Sequence, residues 1–567
     1  MPAPPVNQVF QDPDFGSRMV RVTDANGPAG AHVAGSSFPT NAAGEANEWS
    51  KFDPSFGPHG GYHFYVGTSG GNFGGGSVFF TLDPVTLQVA PYCGHLPDCR
   101  LPSGGTFSFV NPNLIFGHFA RSARQIDEMN LATGKESTIY NSRDCPNIPP
   151  IEDGYRGFVT GSGDDTKFAD YAGGKTQGSG TVVTYYDRTA ERCYWYDTAT
   201  GTTGGTGMAT TAVDGGLVAL PGVPALSAGA GDLEPGDYYV KLTASTKMNP
   251  DAGETTPSSE SHIRLSSRGG IAVAAPAVNN IYRHPIAGYS VYIGTAPGRE
   301  MRQAALRPPD SGYIQTSRLV NGAPPPLQSR AGYNIHAAWL SLDGKTVRVD
   351  NQQGVTTFVW TPGSTHLSAC TLGPPRDGIS GYCGGHWVFG YSHIINSGGP
   401  GPDTSLLLRP ASDLNHLTQL ISPEKYPVRP DEDAHWSWNN ADPSDSAPVC
   451  GAFNQGRHNL KGDGTENAAT NPLLNIRQAW DREIVCVATT GPSRVWRFAH
   501  HRATGACNDG DNGGSCFAAI AIGNVSQDGK FYLFGSDWEW SLGDRQGGRG
   551  CPSSGTCRVD SFIVELK

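Results

Sequence analysis

The stretch 430–440, PDEDAHWSWNN, sets Asp431, Glu432 and Asp433 just ahead of His435, Trp436 and Trp438. Carboxylates beside an imidazole can act as acid and base or hold a metal. Tryptophan faces offer flat amphipathic platforms for a sugar ring, with Asp431 and Asp433 placed to bond hydroxyls. Trp538 and Trp540 in SDWEWSLGD echo the same Trp-x-Trp spacing, and Trp49, Trp387 and Trp496 occupy comparable positions. The bland reading competes: large aromatics fill wide gaps between twisted sheets, and Trp-x-Trp on a strand puts both rings on one face.

Histidine recurs in similar settings. His63 lies in GGYHFYV, His118 in FGHFARS, His336 in YNIHAAW, His386 and His393 in GHWVFGYSHI, and His500 and His501 in WRFAHH. If these strands line one channel, the imidazoles converge and can bind a divalent cation or move protons. His435, His393, His336 and His501 are the leading candidates, with Tyr333 near His336, Tyr391 near His393 and Arg497 near His500. Such parts suit β-elimination on an acidic polysaccharide, where a base removes the proton beside a uronate carboxylate and a cation steadies the enolate. No positional motif assigns those roles. The alternative is that each histidine sits on its own strand at its own depth, because spacing alone does not fix which way a side chain faces.

What would position these residues is visible in the composition. The chain of 567 residues has 75 Gly and 43 Pro with 10% aromatics and only 16% charged residues. Disorder would need few aromatics and a high net charge; many short strands joined by Gly/Pro turns fit better. The net charge of −11 and the absence of any Lys/Arg run argue against nucleic acid and anionic membranes as partners. No apolar run reaches the roughly 18–20 residues of a membrane span. The start, MPAPPVNQVF, lacks the layout of a signal peptide, so the expectation is either a cytosolic chain or one whose signal has been removed.

The twelve cysteines favour the second option. Cys93 and Cys99, Cys507 and Cys516, Cys551 and Cys557, and Cys370 and Cys383 each flank a short loop, as disulfide staples do, while Cys145, Cys193, Cys450 and Cys486 have no partner fixed by spacing. Zinc knuckles of the CxxC type are absent. The expected location is therefore secreted, extracellular or at the cell surface. NDGDNGG (508–514) offers calcium-like oxygen spacing but lacks the distal Glu of a calcium loop, which leaves a divalent cation such as calcium open without naming its ligands.

Internal repeats organise the rest. WLSLDGKTVRVDN (339–351) aligns with NVSQDGKFYLFGS (524–536), and TGSGDDTKFADYA (160–172) is a weaker copy. In each, a tight turn feeds an alternating apolar strand. A second unit, strand, polar turn, strand, recurs at 78–92, 125–140 and 192–205. The Ser-x-Asp-Gly-Lys turn resembles that of TolB/WD40-like β-propellers, with Leu342 and Gln527 standing where those repeats usually carry proline. That resemblance implies an all-β fold, a propeller of seven blades (six or eight being the alternatives), and says little about function. RMVRVTDA (18–25) is expected to pair with DSFIVELK (560–567) and close the ring.

Residues 216–328 break the repeat. LEPGDYYVKLTAST, GETTPSSESHIRL and AGYSVYIGTAPG resemble a fibronectin type III or Ig-like sandwich, which implies an inserted spacer or adhesive arm. The expected organisation is an extended segment 1–17, propeller 18–215, insertion 216–328 and propeller 329–567. Three functions follow as expectations. The preferred one is an extracellular scaffold binding a glycan or a protein. The second is a polysaccharide-degrading enzyme of lyase type. The third is self-assembly, a homo-oligomer or filament built by strand addition from residues 1–17.

Overall fold

The computed structural model describes residues 2–24, 36–38, 47–69, 76–96, 99–101, 105–119, 124–151, 158–172, 182–198, 201–213, 222–246, 255, 257–276, 280–281, 284–306, 312–325, 335–351, 357–369, 387–397, 406–414, 416–421, 435–439, 441–453, 482–503, 521–539, 541–542 and 558–567. Seven antiparallel sheets follow one another along the chain and make a seven-bladed propeller. Their first strands are Ser36–Phe38, Gly105–Phe107, Thr160–Gly161, Ile335–Leu340, Trp387–Phe389, His435–Ser437 and Gly523–Val525. Each blade then runs outward strand by strand, which short polar turns permit.

Why the blades assemble is written in the alternation of their strands. In the second strand of blade 7, Phe531 and Leu533 pack toward blade 1, while Tyr532 and Phe534 pack toward blade 6. Successive side chains point to opposite faces, so one strand feeds two interfaces. Apolar clusters fill all seven gaps between neighbouring blades. The core is thus a ring of seams rather than one centre.

The ring closes as expected from the two termini. Arg18–Arg21 pairs with Asp560–Glu565, in the register Met19 to Val564, Val20 to Ile563 and Arg21 to Phe562. Val9–Gln11 adds a fifth strand outside it. Residues of the N-terminal segment lie along the rim: Asn7 Oδ1 accepts a hydrogen bond from the backbone N–H of Val89 in blade 1 (2.7 Å), and Trp538 Nε1 donates to Pro2 O (3.3 Å).

Blade 3 carries the hairpin expected over 192–205 and extends beyond it. Arg192–Asp197 and Thr202–Gly205 are its fourth and fifth strands, and Met208–Ala212 adds a sixth. Beyond it, Ala225–Leu233, Gly269–Ala274 and Gly312–Gln315 form one sheet. Gly236–Thr246, Ser261–Leu265, His284–Gly294 and Met301–Leu306 belong to a second. Leu242, Val291 and Ile293 from the second sheet and Ile271 and Val273 from the first share a core, so the insertion is a β-sandwich.

The repeated turn works as a bracket. Ser341 and Ser526 Oγ hold Asp343 (2.6 Å) and Asp528 (2.9 Å), and Gly344 and Gly529 take the left-handed conformation with φ of 71° and 72°. In the weaker copy Asp165 occupies that position, with φ of 58°. These turns reach their neighbours around the ring. Asp165 accepts from Ser108 and from the Phe109 N–H (3.2 Å), Gly163 N–H donates to Leu342 O (2.8 Å), and Asp343 N–H donates to Tyr391 O (2.9 Å). Gln527, at a proline position of the repeat, donates to Trp49 O and Ser108 O (3.0 Å each).

Three disulfides are described. Cys93–Cys99 spans the loop that suggested it. Cys145–Cys193 and Cys450–Cys486 settle two pairings that spacing left open; the second joins facing residues of adjacent strands in blade 6. Cys370, Cys383, Cys507, Cys516, Cys551 and Cys557 lie outside the described residues.

Candidate functional site

A small pocket lies where several of the first strands meet. Thr106, Thr160, Trp339, Leu340, Trp387 and Asn439 surround a space of about 30 Å³, room for about one water, and no histidine lines it among the described residues. The expected convergence of imidazoles does not occur among the described rings. His63 sits against Phe56 and Tyr92, with ring centroids 5.2 and 4.3 Å away. His118 lies between blades 2 and 3, its Nε2 3.0 Å from the Asp170 carboxylate and its Nδ1 2.7 Å from Gln125 O.

His393 belongs to the bracket system. Asp445, from the first turn of blade 6, accepts from His393 Nδ1 (2.8 Å), Ser392 N–H (2.8 Å), Ser392 Oγ (3.0 Å) and the Tyr391 N–H. Tyr391 is thus held by its backbone. His501 is buried in blade 6: its Nε2 donates to Phe453 O (2.7 Å) and its Nδ1 accepts from the Ala503 N–H (3.0 Å). Arg497 is committed to Glu483 by two hydrogen bonds of 2.6 Å. The side chains of His336 and His435, and the residues Tyr333, Asp431, Asp433 and Trp540, fall outside the described residues.

Burial pushes the His63 imidazole down to about 4 and that of His501 to about 3. Both rings are neutral in the folded state, whereas the unfolded chain binds a proton near pH 6.5. Stability is therefore fully present above about 6.5 and falls as the pH drops toward 4 for His63 and 3 for His501. The expected slope is about 1.4 kcal/mol per histidine per pH unit. Urea unfolding at pH 7 and pH 5 checks this; equal midpoints would contradict neutral burial of both rings.

Three of the tryptophans proposed as sugar platforms are packing residues. Trp436, Trp438 and Trp538 have no exposed face. Trp436 meets Phe453 edge-on at 5.3 Å between blades 5 and 6. Trp438 packs in the same seam and donates from Nε1 to Ala447 O (2.7 Å). Trp538 is in a left-handed turn after strand Phe531–Ser536, not on a strand, and stacks on Phe562 at 4.6 Å. The physical reason is the seam itself: two facing sheets leave a gap that only a large ring fills.

Trp496 differs. It is 40% exposed, on the outermost described strand of blade 6. Beside it opens a cleft of about 410 Å³ between blades 6 and 7, within the usual range for a small-molecule site. Phe498 and the Cys450–Cys486 disulfide line it together with the first turns of both blades and the C-terminal Leu566 and Lys567. Two carboxylates lie in those turns. Hydrogen bonds from Ser446 and Ser444 hold Asp442 well below the usual carboxylate range. Burial works against ionisation of Asp528, yet hydrogen bonds from Lys530 (2.8 Å), the Tyr62 hydroxyl (2.6 Å) and Ser526 keep its carboxyl lowered. The cleft thus combines one open aromatic face, an apolar floor and two fixed anions. The sequence named Trp496 without separating it from its buried counterparts; its place on a fourth strand was the available signal.

The sequence matches no known family, and no curated protein matches it. Among solved structures it shows likeness to dihydro-heme d1 dehydrogenase NirN in complex with DHE, at 12% identity and a TM-score of 0.27 over 94% of this chain and 76% of that one. TolB from Acinetobacter baumannii aligns at 10% identity with a TM-score of 0.16, over 68% of this chain and 63% of its own. A chain of the Mitotic Checkpoint Complex aligns at 9% identity with a TM-score of 0.25, over 81% and 85%. Likeness at this level carries no argument about function; the propeller rests on its seven sheets, seven filled seams and closure.

Proposed function

We propose that this chain is a secreted β-propeller of the TolB/WD40-like kind that binds a carbohydrate in the cleft between blades 6 and 7. The observation that carries the reading is the pairing of a half-open Trp496 with a cleft of about 410 Å³ in a molecule whose other described core tryptophans are shut away. A sugar ring stacks its C–H face on an indole and spends its hydroxyls on carboxylates, which Asp442 and Asp528 supply. Three disulfides support an oxidising compartment. The inserted sandwich, of fibronectin type III kind, would act as an arm that carries the propeller or meets a protein partner.

Trp496→Ala tests it. Retention of the protein in native gels containing a panel of soluble polysaccharides is expected to weaken by about tenfold or more in affinity, corresponding to about 1.4 kcal/mol. The ring's partial exposure makes the thermal midpoint change little. Unchanged retention by the variant, or no retention of the parent on any polysaccharide, would sink the assignment.

A further inference from the structure

At the rim of the same two blades, three side chains from opposite ends of the sequence meet. Asp12 and Asp14 lie in the turn between Val9–Gln11 and Arg18–Arg21, and His500 ends the fourth strand of blade 6. One ligand atom from each lies within 4.8 Å of the others. We infer that Asp12, Asp14 and His500 form a zinc-type divalent metal site that staples the N-terminal segment to blade 6.

The spacing is that of ligands around an ion. His500 Nδ1 is 3.3 Å from Asp14 Oδ2 and 3.7 Å from Asp12 Oδ2. Tetrahedral ligands about 2.0–2.1 Å from zinc stand about 3.3 Å apart. Nδ1 is shielded from solvent and faces both carboxylates at once. An imidazole nitrogen aimed between two carboxylates is a donor set for a divalent transition metal, which an acidic surface patch alone is not.

The surroundings prepare the ring for a metal. Phe15 packs on His500 at 5.1 Å, and the His500 N–H donates to Asp12 Oδ2 (2.9 Å), so turn and strand are already docked. His500 Nε2 faces Glu483 Oε1 at 3.9 Å, so once Nδ1 binds a metal the proton left on Nε2 would meet a carboxylate. Glu483 also binds the Arg497 guanidinium at two points, so that cation is already paired. Asp12 is buried and accepts the Asp14 and Phe15 N–H groups at 3.0 and 3.1 Å, which fixes its position. The Asp14 side chain is 65% exposed, so water can fill a fourth position. Calcium wants six to eight oxygens, so one imidazole with two carboxylates suits zinc better.

The test uses the full chain, without a histidine tag, stripped with chelator and titrated with Zn²⁺ or with Co²⁺ as a visible reporter. One equivalent of Co²⁺ with tetrahedral d–d absorption is expected, with slower aminopeptidase trimming of residues 1–11 when metal is bound. Asp14→Asn should weaken binding by about tenfold or more. It should shift the metal-free thermal midpoint only slightly, because the ion pair it removes is largely exposed on the Asp14 side. His500→Gln should remove the cobalt spectrum. Binding weaker than about 1 mM, or binding and trimming that Asp14→Asn leaves unchanged, would overturn the site.

Discussion

Asp560→Ala is expected to open the propeller. The Asp560 carboxylate is fully buried between two guanidinium groups. Arg558 reaches one oxygen at 2.7 and 3.1 Å, and Arg21 binds the other through Nε at 3.0 Å and through Nη2. Arg21 also donates to Thr23 O (2.9 Å) and Pro4 O (3.0 Å), so the group that holds Asp560 in the last strand also fixes the N-terminal segment. Burial alone pushes the Asp560 carboxyl up, and the two arginines oppose that push. Removing it leaves two cations facing each other beneath the closing strand. Breaking a buried pair from one side costs about 3–5 kcal/mol, a large share of the roughly 5–15 kcal/mol that holds a domain together. Urea unfolding monitored by tryptophan fluorescence measures this. A variant within about 1 kcal/mol of the parent would show that the seam clusters close the ring unaided.

Trp538→Ala is the second large effect, and its contrast with Trp496→Ala separates architecture from recognition. Trp538 stacks on Phe562 at an interplanar angle of 16°, takes the edge of Phe10 at 5.6 Å and donates to Pro2 O. It joins blade 7 to the N-terminal segment and packs in the seam with blade 6. Truncation leaves a cavity between sheets that cannot collapse, because each sheet is also fixed by its other neighbour. The expected cost is about 3–5 kcal/mol, read as a lower urea midpoint. Faster trimming of the N-terminal residues should accompany it. A midpoint unchanged by Trp538→Ala would contradict the packing role of the ring.

Much of the fold was legible before any coordinates. The Ser-x-Asp-Gly-Lys turns announced their strands because a left-handed turn position needs Gly or, at residue 165, Asp. The proposed pairing of residues 18–25 with 560–567 matches strands that are in register. Blade 3 runs one strand further than its repeat suggested, because Met208–Ala212 is rich in Thr and Ala and carries almost no apolar alternation. Cys450 and Cys486 could not be paired from sequence, because their 36-residue separation says nothing about which strands lie side by side.

The candidate sites were far less legible. Trp436, Trp496 and Trp538 look alike as letters, yet one lies in the seam between blades 5 and 6, one on the outer strand beside a cleft, and one beneath the N-terminal segment. Asp12 and His500 are 488 residues apart, and only ring closure sets one against the other. The sequence by itself determined strand and turn, through backbone conformation and alternation, which act over a few residues. Tertiary structure decided exposure and partnership, because both depend on which strand lies outermost and which blades meet. Those are properties of the closed ring, and no local stretch of chain contains them.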